Sequence, residues 1–125
     1  MKKWPLLVAL LATPLFLAPI TELAYAAAVM SKLGDLAPFE KMASDTLVLI
    51  DKGDLGGARE RITEFETAWD NAEPTMRPKN VDEWSVIDDA ADAAISSLRA
   101  NKPKAANAKA TVAALIHALA SPAAL

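Results

Sequence analysis

Residues 55–72 read LGGARERITEFETAWDNA, in which Leu55, Ala58, Ile62, Phe65, Trp69 and Ala72 recur at alternating intervals of three and four. That spacing puts all six on one face of an α-helix, and a strand would scatter them over both faces of a sheet. The stretch predicts an amphipathic helix whose apolar stripe needs partners. Just upstream, Asp51-Lys52-Gly53-Asp54 supplies a glycine to stop one helix and an aspartate to cap the next. The helix before it, predicted over residues 35–51, carries Leu36, Phe39, Ala43, Leu47 and Ile50 on one face, with Pro38 tolerated in its first turn. So short a link makes the two antiparallel neighbours.

Downstream, Pro74 and Pro78 predict that residues 73–79 leave the helix and form the longest connection. Asn80 then caps a third helix, with Glu83 in the capping-box position and Trp84, Ile87, Ala91, Ala94 and Leu98 as its stripe. Pro103 opens a fourth, on which Ala105, Ala108, Val112, Leu115 and Leu119 repeat the spacing. No alternating β-branched run or Asn-Gly turn signals a strand. The expected fold is all-α, an antiparallel up-down-up-down four-helix bundle over residues 35–121, with a flexible lead at 27–34 and a tail at 122–125.

Residues 1–26 have the pattern of a cleaved secretory signal peptide. Lys2 and Lys3 precede an apolar run over residues 6–20, and Ala24-Tyr25-Ala26 offers a small-x-small cleavage site. Pro14 and Pro19 interrupt a run already too short for a membrane-spanning helix, which needs roughly 20 residues, so no stable anchor is expected after cleavage. The expected location is periplasmic or secreted. The chain has 16 acidic against 13 basic residues, and removal of Lys2, Lys3 and Glu22 makes the remainder more acidic still. Such a charge balance, with no basic run, gives no attraction for a phosphate backbone, so no nucleic-acid partner is expected. Cysteine is absent, so there are no disulfides and packing must hold the domain.

Three chemistries can be tried on the remaining polar residues. Asp70, Glu73, Asp88 and Asp92 could present oxygen ligands to a hard cation, with Asp88 and Asp92 spaced to reach one ion together. No Glu-x-x-His pair or EF-hand loop accompanies them, and a solvated acidic face is the first reading. His117 is the single histidine, off the apolar stripe, with neither a cysteine nor a Gly-x-Ser-x-Gly elbow to serve. The segment His117-Ala118-Leu119-Ala120-Ser121-Pro122 resembles the His-Glu-Leu-Arg-Thr-Pro phosphoacceptor box of sensor histidine kinases. It lacks the acidic and arginine residues of that box, and the likeness is read as accidental. The layout is also similar to that of the periplasmic b-type cytochromes, four-helix bundles with an axial methionine on the first helix and an axial histidine on the fourth. That resemblance would make Met42 and His117 haem ligands, although no Cys-x-x-Cys-His attachment is present.

The fuller resemblance runs over residues 51–100. Asp51-Lys52-Gly53-Asp54-Leu55, Glu66-Thr67-Ala68-Trp69-Asp70-Asn71-Ala72-Glu73, Arg77-Pro78, Trp84 and Ile87-Asp88 resemble a family of small exported bacterial helical proteins of unknown function. The resemblance implies a helical fold and an exported location, and it brings no catalytic residue with it. It draws attention to Trp69, Asp70, Glu73, Arg77 and Trp84 as a structural or recognition cluster, in which Arg77 and Lys79 would offset acids at a helix C-terminus. The expectation is a non-enzymatic binding or accessory protein of the bacterial envelope, without a cofactor and with another envelope protein as partner. A metal or haem carrier on the same bundle is the alternative.

Overall fold

The computed structural model describes residues 31–122; the stretch read as a signal peptide, residues 1–26, the beginning of the predicted lead and residues 123–125 lie outside them. Four helices follow one another: α1 (Ala37–Asp51), α2 (Leu55–Met76), α3 (Val81–Arg99) and α4 (Ala105–Ala120). A single 3-10 turn, Arg77–Lys79, joins α2 to α3. Each helix packs on its two neighbours around a square, with α4 closing back onto α1. This is the four-helix, up-down-up-down bundle that the short connections require, with no strand among the described residues.

The core follows the predicted stripes closely. Phe39, Ala43 and Ile50 of α1, Ala58, Ile62, Phe65 and Trp69 of α2, Trp84, Ile87, Ala91, Ala94 and Leu98 of α3, and Ala108, Val112, Leu115 and Leu119 of α4 are all buried. Leu47, Leu55 and Ala72 are half-buried at the stripe edges, and Ala105 is exposed. Ile95, Ser97 and Ala118 are buried beside the predicted stripes, and Thr46 is an unpredicted buried residue of α1. It is fully buried because its hydroxyl donates to the Met42 carbonyl one turn back, at 2.8 Å, which satisfies the polar atom within its own helix.

The starts of α2 and α3 are set by side chains. Asp54 accepts from the Gly57 amide at 2.8 Å and Asn80 from the Glu83 amide at 3.0 Å, both ordinary N-caps. Gly53 takes φ 79°, the left-handed turn that ends α1. Helix α1 begins at Ala37 rather than Asp35, because the Asp35 carboxylate turns to accept from the Ala37 amide at 2.9 Å.

Three expectations need correction. The chain does not leave the helix at residue 73: α2 runs through Pro74 to Met76. Pro74 stands in the last turn with its ring exposed, so the helical bond it removes, to the Asp70 carbonyl, is lost on the solvent side. Half-buried Ala72 and Met76 still pack on the core and carry the helix onward, and Pro78 lies in the 3-10 turn that follows. Second, part of the stretch read as a flexible lead is packed in place, because Leu33 is fully buried. Third, the capping box is only half formed. Asn80 caps Glu83, but the Glu83 carboxylate turns away to accept from the Ser31 hydroxyl and the Lys32 amide.

Candidate functional site

The residues singled out by sequence meet along the seam between α2 and α3. Trp69 and Trp84 face each other across it, their rings stacked at 3.8 Å and 7° apart from parallel. Phe39 meets Trp69 edge-on at 5.1 Å, and Phe65 lies 5.9 Å from it. This is an aromatic core layer, because Trp69 is 2% and Trp84 3% exposed, so neither ring offers a face to a ligand. The buried indole N–H of Trp69 needs an acceptor and finds the Asp88 carboxylate at 3.1 Å.

That bond fixes Asp88 on the rim of the seam, with its acidic neighbours around it. Asp92 lies one turn further along α3. Partial burial, then the charges of Asp88, Asp89, Asp70 and Glu66, raise its carboxyl above the ordinary carboxylate value. Glu66 is already engaged by a bidentate Arg99, at 2.9 and 3.0 Å, an α2–α3 clamp that in turn raises the guanidinium. Glu73 is engaged by Arg77 at 3.0 Å on the exposed surface. Asp70 is exposed, and Lys79 reaches the Leu33 carbonyl at 3.4 Å rather than an acid. Of the predicted cluster, then, the tryptophans are core, Glu73 and Arg77 form the expected ion pair, and Asp70 stands apart from it.

Of the four residues offered as metal ligands, Glu73 is paired with Arg77 and Asp88 with the Trp69 indole, while Asp70 and Asp92 are exposed. Among the described residues, no three carboxylate, histidine or cysteine side chains are grouped to hold a metal ion. The haem pair is separated in environment. Met42 packs half-buried against the core from α1, while His117 is exposed on α4, where an axial ligand would need to point inward.

Sequence reasoning missed Glu83 as anything but a cap. It is 5% exposed, the one acid buried among the described residues, and both side-chain bonds it accepts come from residues 31 and 32. A capping-box motif preceded by an apolar lead was the available signal, but the motif does not say which way the carboxylate turns. No protein-family model, curated protein or solved structure matches the chain.

Proposed function

We propose that this chain is an exported, non-enzymatic binding or accessory protein of the bacterial envelope. The observation that carries the reading is the junction near the N-terminus. A basic, apolar, small-x-small pattern ends at Ala26, and a fully buried core residue, Leu33, follows only seven residues later. The rest of the chain suits that destination. It is acidic, free of cysteine and held by apolar stripes, and no helix of the described residues is long and apolar enough to cross a membrane. Its single histidine is exposed on a helix face rich in alanine, with no nucleophile or acid hydrogen-bonded to it among the described residues.

The test is fractionation of cells making the full chain with a C-terminal tag, followed by N-terminal sequencing. A periplasmic or secreted product starting at Ala27 is expected, and an uncleaved cytoplasmic product would refute export. Absorbance and elemental analysis of the same preparation separate the rival carrier. A Soret band or a stoichiometric metal would replace the binding-module reading with haem or metal carriage.

A further inference from the structure

The outer side of the bundle between α1 and α4 carries no charge between its two ends. A 2.9 Å ion pair of Lys109 with Asp51 sets the register of these antiparallel helices. Counting back from Asp51 by helical turns, Leu47, Ser44 and Glu40 lie on that side of α1; counting forward from Lys109, Ala113 and Ile116 lie on that side of α4. Val48, one turn before Asp51, stands level with Ala113 and is 50% exposed, one of two large apolar residues so exposed among the described ones. Half-buried Leu47 and Ile116 pack on the core beneath it. The other sides differ. Arg61 and Asp45 cross the α1–α2 side, Arg99 and Glu66 the α2–α3 side, and the α3–α4 side holds the hydroxyl pair of Ser97 and Thr111.

Charge gathers at the ends of the α1–α4 side, with opposite sign. Glu40 stands at one end, and Lys52, Lys102 and Lys104 stand at the other. None of these four makes an ion pair among the described residues. A face with an apolar middle and unlike ends complements itself. Turned end over end about an axis across the helices, a second copy lays α1 on α1 and α4 on α4, each pair antiparallel. Glu40 then meets the partner's Lys52, and Val48 meets the partner's small Ser44. Lys104 meets the C-terminal end of the partner's α4, where the helix dipole favours a cation. An axis along the helices would instead gather the lysines of both copies at one end, so charge selects the first arrangement. The face is two helices wide and about 24 Å long, the span of the 16 residues of α4, which suits a small, reversible interface.

We propose that the α1–α4 face joins two copies of this chain into an antiparallel, two-fold symmetric dimer, in which both copies use the same patch. The inference goes beyond the accessory-protein reading and stands whether or not the chain is exported.

The chain has no cysteine, so one introduced residue reports the contact. Ala113 lies near the two-fold axis and faces its own copy. Ala113→Cys should therefore cross-link into a disulfide dimer under mild oxidation, whereas Thr67→Cys, at an exposed position of α2, should not at the same concentration. Sedimentation equilibrium of the purified, unmodified chain should show a concentration-dependent exchange between monomer and dimer. Val48→Asp, which leaves the core intact, should raise the dissociation constant by roughly tenfold or more. Glu40→Lys should act in the same direction by setting lysine against the partner's Lys52, and adding Lys52→Glu should restore the dimer. A folded chain that sediments as a monomer at every concentration, as a seat for a different protein would, overturns the proposal. So does Ala113→Cys that cross-links no better than Thr67→Cys, or a dimer unchanged by both Val48→Asp and Glu40→Lys, whose copies meet elsewhere.

Discussion

Single side chains in this domain do two jobs at once, and Trp69 shows it most plainly. Its ring fills the aromatic layer while its N–H holds Asp88 on the acidic rim. Trp69→Ala should lower stability by about 3–5 kcal/mol in urea titrations, the usual cost of emptying a large aromatic site. Asp92 presents the opposite case. Its carboxyl is raised in the folded state, so ionisation above that folded value works against the fold, and protonation as pH falls toward it relieves the strain. Asp92→Asn should therefore stabilise the domain at neutral pH and low salt by roughly 0.2–0.5 kcal/mol, the scale of a like-charged pair one turn apart. The gain should fade in high salt, and unchanged melting in both conditions would show that the acids around Asp92 do not interact.

At the scale of the element, the start of α2 separates two glycines that look alike in sequence. A Cβ at Gly57 would stand 2.4 Å from Asp54 Oδ2, so Gly57 makes room for the capping carboxylate, whereas one at Gly56 meets nothing closer than 3.9 Å. Gly56→Ala should stabilise by up to about 1 kcal/mol through helix propensity. Gly57→Ala should destabilise by about 1 kcal/mol by displacing the cap, and thermal melts of the two variants should diverge in sign. Periodicity located the four helices and nearly every core position, because burial of an apolar stripe leaves a 3.6-residue signature. It could not place the end of α2, since whether Pro74 breaks a helix depends on what Ala72 and Met76 pack against beyond it. Nor could it find the role of Glu83, whose partners lie fifty residues away along the chain. The candidate cluster was legible as a place but not as a surface: spacing brought Trp69 and Trp84 together, and only packing showed both rings to be inside.

For the whole molecule, every side of the square carries a polar cross-link. Arg61 joins Asp45 across α1 and α2 at 2.8 Å, and Arg99 joins Glu66 across α2 and α3. Ser97 meets Thr111 across α3 and α4 at 2.7 Å, and Lys109 meets Asp51 across α4 and α1 at 2.9 Å. Apolar stripes drive the helices together without strongly fixing their sliding along one another, and these pairs favour one register. Hydrogen bonds from Lys41 and Arg61 lower the Asp45 carboxyl below its ordinary value of 3.8. Its contribution is present above that value and lost as pH falls through the lower folded one. Asp45→Asn should flatten the acid limb of a stability-against-pH profile while leaving the Asp92 response intact.

Trp69 and Trp84 are the only tryptophans among the described residues. Two nearly parallel indoles in contact across one helix seam couple their electronic transitions, so the folded domain carries a built-in optical reporter. Its circular dichroism should show a paired exciton band that collapses when α2 and α3 part, even where helix content is unchanged, giving a spectral measure of that seam without any added label.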